Sequence, residues 1–80
     1  MFQEQFSNWL KAEMATNDIS RARLAKKTGR SAVTVWRWMS CHRLPTMEDM
    51  YAIAEEIGAY RDQKPMIVIT QMYLATGMEK

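Results

Sequence analysis

Phe2, Phe6, Trp9 and Leu10 fall at i, i+4, i+7 and i+8, the spacing of one face of an amphipathic helix. Asn17 and Asp18 close that helix with turn-forming side chains. Ser20 is a suitable N-cap for a second helix, and Ile19 before it can staple onto the helix body. Leu24 and Ala25 are its inward residues, and Gly29 ends it by admitting the left-handed conformation. Ser31 caps a third helix to about Met39, with Val35 and Trp38 on one face at i, i+3. Cys41 to Leu44 is a basic loop. Thr46, after Pro45, is the N-cap of a fourth helix, and Glu48 and Asp49 put negative charge on its first turn. Met50, Ile53, Ala54 and Ile57 form its apolar stripe, and Gly58 is expected to end it.

The last segment has two readings. Met66 to Thr70 is rich in β-branched residues, as a strand would be. Against that, Asp62 can cap a helix, Pro65 is tolerated in a first turn and Gly77 stands where a helix would stop. The second reading is preferred, giving an all-α chain: a compact bundle of about five short helices in one domain, residues 1–80. The segment is apolar nearly all round, so residues 62–76 are expected to offer a face to a second copy, with Met66, Ile69, Met72 and Tyr73 at the homodimer interface. The alternative is that it folds back over the helices that start at Phe2 and Met47, completing a monomeric core.

Composition narrows the classes. Eighty residues make one small domain, against a usual range of ~50 to ~250, with little material for a walled-off active site. Three glycines, two prolines and 48% apolar residues exclude a linker, a fibrous chain and a disordered one. A single cysteine excludes a disulfide scaffold. No stretch approaches the ~18 apolar residues of a membrane span. Met1 to Leu10 carries Glu4 and lacks a basic start with an apolar block, so it does not read as a signal peptide. A cytoplasmic location with no membrane partner is the expectation. Cys41 and His42 have no second Cys or His to complete a metal site, and as chain neighbours they point their side chains apart. No catalytic constellation, cofactor, metal or small-molecule ligand is expected, and the chain is not read as an enzyme.

Charge changes the picture by its placement. The net charge is only +2, but residues 1–45 hold eight Lys or Arg against three Asp or Glu, and residues 46–80 hold three against six. No acid stands between Asp18 and Glu48, while Arg21, Arg23, Lys26, Lys27, Arg30, Arg37 and Arg43 all do. Such segregation points either to a polyanion partner, usually nucleic acid, or to a basic face with acidic counterparts packed nearby.

Two short helices joined by a tight glycine turn in a basic stretch have the makings of a helix-turn-helix over about residues 20–41. Ala25 lies where the two helices cross, Gly29 permits positive φ, and Val35 and Trp38 bury the back of the second helix, freeing its front for a major groove. The run Leu24-Ala25-Lys26-Lys27-Thr28-Gly29-Arg30-Ser31, then Thr34-Val35-Trp36-Arg37-Trp38-Met39, then His42-Arg43-Leu44-Pro45-Thr46, resembles the Cro and phage-repressor helix-turn-helix family. Within it the chain is most similar to small prophage regulators, whose recognition helix ends in Val-x-Arg-Trp before a basic loop and a Pro-Ser or Pro-Thr cap. Ile53-Ala54-Glu55-Glu56-Ile57-Gly58 is similar to the family's fourth helix. The resemblance spans Ile19 to Gly58, half the chain. Three residues depart from it: Arg30 stands where many relatives are apolar, Cys41 replaces a common glycine and so predicts a different turn, and Trp36 replaces a small polar residue.

The resemblance implies a lambda-repressor-like fold and a role for each residue. Ala32, Val33, Trp36 and Arg37 would face base edges, the first two against thymine methyls and Arg37 against a guanine. Plain phosphate contact is the alternative for Arg37, and a core position the alternative for Trp36. Arg21, Arg30, Ser31, His42 and Arg43 would contact phosphates. Lys26 and Lys27 read as solvated charges. The function implied is a sequence-specific transcriptional regulator, a phage-type repressor that occupies a double-stranded DNA operator as a dimer. The competing reading is an antitoxin-like or adaptor module that keeps the fold without reading DNA.

Overall fold

The computed structural model describes residues 2–76, so the expected stop at Gly77 lies outside the described residues. Five helices follow one another: α1 (Phe2–Thr16), α2 (Arg21–Thr28), α3 (Ala32–Met39), α4 (Met47–Arg61) and α5 (Pro65–Thr76). No strand occurs among the described residues. The all-α expectation holds.

The helix starts are set by the residues the sequence offers as caps. Ser20 Oγ accepts the Arg23 N–H at 3.0 Å and Ser31 Oγ accepts the Thr34 N–H at 3.2 Å. Thr46 Oγ1 accepts the Asp49 N–H at 3.1 Å, and the Asp49 carboxylate takes the Thr46 N–H in return, a capping box. Each such cap contributes about 1 kcal/mol by satisfying N–H groups that a helix start leaves without partners. Gly29 ends α2 at φ +72°, with its N–H bonded to the Ala25 carbonyl.

The core runs through all five helices. Phe6, Leu10 and Met14 from α1 meet Leu24 and Ala25 from α2, Val35 and Trp38 from α3, Met50, Ile53, Ala54 and Ile57 from α4, and Val68 and Met72 from α5. Ile19, the expected staple before α2, is buried in the same cluster as Leu24. Ser7 adds a polar tie inside it, its hydroxyl donating to the Trp38 carbonyl at 2.6 Å. Trp38 is thereby fixed from both ends, and the back of α3 is anchored to α1.

Three expectations are corrected. Gly58 does not end α4; it is buried within the helix, which continues one turn to Arg61. Asp62 caps the end of α4 in the left-handed conformation, φ 56°, instead of opening α5. Gly58 is needed there for space: a Cβ would collide with the carbonyl oxygen of Gln63, where the chain turns back. Cys41 adopts φ +66°, and the turn after α3 is closed by the His42 N–H on the Arg37 carbonyl at 2.9 Å. Met72, expected at a dimer interface, is fully buried.

The β-branched run of residues 66–70 is helical because the pattern further along overrides local propensity. Val68, Met72 and Thr76 stand at i, i+4 and i+8 and are the buried residues of α5, which packs on α4 and α1. A helix also satisfies its own backbone, whereas a strand here has no neighbour to pair with. The fold-back reading of this segment is therefore correct for its inner face.

Candidate nucleic-acid interface

The third helix divides cleanly. Val35 and Trp38 point into the core. Ala32, Val33, Trp36 and Arg37 are exposed, and at 100° per residue they share one outward arc. Trp36 is 44% exposed and Val33 55%, so Trp36 takes the outward position and not the core one. Between this arc and the start of α2 runs an open groove of about 520 Å³, lined by Ser20, Arg21, Ala22, Ala32, Val33 and Trp36.

The Trp36 ring does not hang free. The His42 imidazole stacks on it with centroids 5.2 Å apart and 23° between planes. His42 Nδ1 lies 2.9 Å from Ser40 Oγ, whose hydroxyl donates to the Trp36 carbonyl at 2.7 Å. With that proton committed to the carbonyl, Nδ1 is the donor of the second bond. His42, expected on a phosphate, is the buttress of the indole.

The basic stretch splits in two. Arg23, Lys27 and Arg30 face α4 and are neutralised there: Arg23 by Glu56 at 3.1 Å, Lys27 by Glu55 at 3.6 Å, Arg30 by Asp49 at 3.0 Å. Arg21, Lys26, Arg37 and Arg43 are exposed and have no ion-pair partner among the described residues. The reading of a basic face with acidic counterparts packed nearby therefore holds for Arg23, Lys27 and Arg30. Positive potential is left uncancelled on the side where α3 shows its outer arc.

Arg30, expected on a phosphate, has its Nε on Asp49 while its side chain stays 42% exposed. Asp49 is buried, and a buried carboxylate needs a counter-charge close by. Ser31 is exposed, but its hydroxyl is occupied by the Thr34 N–H and lies 3.1 Å from the Thr34 hydroxyl. What Ser31 leaves open is the row of unpaired N–H groups at the start of α3. Arg21 and Arg43, expected on phosphates, are exposed and have no ion-pair partner among the described residues.

Compared with known proteins, the chain matches no family model, no curated protein and no solved structure.

Two features were missed in the sequence. Ala22, an unremarkable small residue, lines the groove from α2. The particular pairs between α2 and α4 were not named either, although their signal is present: Arg23, Lys27 and Arg30 lie at i, i+4, i+7, and Asp49 and Glu56 at i, i+7. Among the described residues no group of three His, Cys, Asp or Glu is placed to hold a metal ion, and no helix is long and apolar enough to cross a membrane.

Proposed function

We propose that this chain is a sequence-specific DNA-binding regulator that uses α2 and α3 as a helix-turn-helix, with α3 in the major groove. The observation that carries the reading is the coincidence of two surfaces. The exposed arc of α3 lies on the side where Arg21, Arg37 and Arg43 have no ion-pair partner among the described residues, while Arg23, Lys27 and Arg30 are spent on α4. A helix fits the major groove, and an arginine presents the forked donor pattern that matches a guanine edge. Arg21 and Arg43, at the two ends of the motif, suit the phosphates on either side. The sequence resemblance to phage repressors supports the same reading and suggests repression by occupying an operator.

A second copy is the natural companion. One short helix reads few base pairs, and two on a pseudo-palindrome supply the rest. The uncharged outer face of α5 is the surface we assign to that pairing.

The adaptor reading retains one observation in its favour, the apolar outer arc of α3 with Val33 and Trp36 exposed. Selection of duplexes from random DNA, followed by a salt titration on the enriched sequence, separates the two. DNA reading predicts an enriched motif and an affinity whose logarithm falls with log salt by ~0.9 per phosphate contact. No enrichment and no salt slope leaves the adaptor.

A further inference from the structure

We infer that His42 makes the outer surface of α3 sensitive to pH: when its ring takes a proton, the stack on Trp36 tightens and a cation is added beside the exposed arc, so a duplex is held more firmly in mild acid. The effect on the duplex rests on the DNA reading above; the effect on the indole does not.

The hydrogen bonds assign the proton. Ser40 gives its hydroxyl proton to the Trp36 carbonyl, so His42 Nδ1 keeps a hydrogen and donates it to Ser40 Oγ at 2.9 Å. In the neutral ring Nε2 is then the bare nitrogen. His42 is exposed, and its Nε2 has no hydrogen-bond partner among the described residues. A proton added there breaks nothing, because the Nδ1 bond is kept in both states. What changes is the charge. An imidazolium with its centroid 5.2 Å from that of the Trp36 ring, and 23° between planes, is within reach of a cation–π attraction, for which tryptophan is the best partner. The ring is also carried on a fastened backbone. The His42 N–H bonds the Arg37 carbonyl at 2.9 Å, and Gln3 Nε2 donates to the Cys41 carbonyl at 3.0 Å.

The elements that reach this turn are α3, through Trp36, and α1, through Gln3. Their charged and titratable side chains nearby are Arg37 on α3 and Glu4 on the first turn of α1, with Cys41 and Arg43 in the turn itself. No carboxylate pairs with the imidazole among the described residues, so the charge gained on protonation is left for a partner. The arginines stay charged throughout. Histidine is the side chain that changes charge between about pH 5 and about pH 8, and the chain has only one.

The test has two arms, both on the full chain. A proton NMR titration from about pH 8 to about pH 5 follows the single imidazole, with the Trp36 indole N–H identified by its loss in Trp36→Phe. That indole signal should move along the same curve as the imidazole and stay still in His42→Gln. An indole that does not follow the ring overturns the inference whatever happens on DNA. The second arm measures affinity for the duplex enriched by selection, over the same range at fixed salt. Affinity should rise about threefold toward acid, the worth of one exposed ion pair. His42→Gln should be weak and flat. His42→Arg, a planar cation that stacks on aromatic rings and does not titrate, should be flat at the affinity of the acid state. A flat wild-type profile, or one that survives unchanged in His42→Gln and so belongs to Glu4 or Cys41, overturns the inference and leaves the DNA reading intact. Failure to enrich any duplex overturns the DNA reading, and the affinity half of the inference with it.

Discussion

The Arg30 guanidinium meets the Asp49 carboxylate at 3.0 Å, tying the turn between α2 and α3 to the first turn of α4. Asp49 also accepts the Thr46 N–H within the capping box, so one buried carboxylate serves two elements. Removing the arginine leaves that carboxylate short of its charged partner. Arg30→Ala should lower unfolding stability by about 1–3 kcal/mol, read as a lower urea midpoint with an unchanged slope. Arg30→Lys should recover part of the loss. A variant as stable as the wild type but weaker on DNA would return Arg30 to the phosphate contacts.

Gly29 and Gly58 are required for different reasons, and substitution separates them. A Cβ at Gly29 meets nothing within 4 Å, but the backbone sits at φ +72°. Gly29→Val should therefore cost roughly 1–3 kcal/mol through the backbone alone, and Gly29→Asn distinctly less, because asparagine tolerates this region. At Gly58 the backbone is helical and space is the problem, so even Gly58→Ala should destabilise by forcing Gln63 away. Cys41 offers the converse. It holds φ +66° without being glycine, and Cys41→Gly should raise the melting temperature slightly. Thermal melts of the set check the order; Gly29→Val melting with the wild type would mean the turn does not need its left-handed residue.

Arg37 and Arg43 should fail in different ways. Arg37 lies on the outer arc of α3, and Arg37→Ala should cost about 1–3 kcal/mol on the preferred site and relax preference at one base pair. Arg43 lies beyond the end of α3, and Arg43→Ala should weaken all duplexes alike and reduce the salt slope by ~0.9. If Arg37→Ala lost affinity evenly across sequences, Arg37 would be a phosphate contact. An unchanged slope for Arg43→Ala would remove it from the interface.

What could be read from the sequence was whatever depends on neighbours in the chain. Caps at Ser20, Ser31 and Thr46, the glycine at the end of α2 and the inward pairs Leu24–Ala25 and Val35–Trp38 are local, and all stand where their spacing puts them. The errors fall where distant residues decide. Gly58 reads as a stop until Gln63 is seen folding back over it. The pairing of Arg30 with the buried Asp49, nineteen residues on, has no local signal. On α5 the apolar residues cover every side, so no period told the inner face from the outer; the neighbouring α1 and α4 chose Val68 and Met72. On the candidate interface, the exposure of Ala32, Val33, Trp36 and Arg37 was legible because the opposite face had already declared itself. The bracing of Trp36 by His42 was not, since it depends on the path of the turn at Cys41.

The face of α5 that α1 and α4 leave uncovered fixes how pairing should be tested. The helix carries no charged residue over Pro65–Thr76, and Met66 and Leu74 are 65% and 63% exposed, with Ile67 beside them. These three, with Thr70, share one side of the helix at the spacing of its turns. A neutral apolar strip can meet its own copy about a two-fold axis without burying a charge. Ile69 and Tyr73 are only half-buried and flank it, while Met72 belongs to the core. Ile67→Asp and Leu74→Asp should therefore give folded monomers, with wild-type helical circular dichroism and a much weaker, concentration-dependent hold on a palindromic site. Met72→Asp should unfold the chain instead, because it places a charge among Phe6, Leu10 and Ile57 in the same core. Sedimentation reads the first outcome and circular dichroism the second. A wild-type chain that stays monomeric at high concentration and binds its duplex one to one would end the assignment of α5 as the pairing surface.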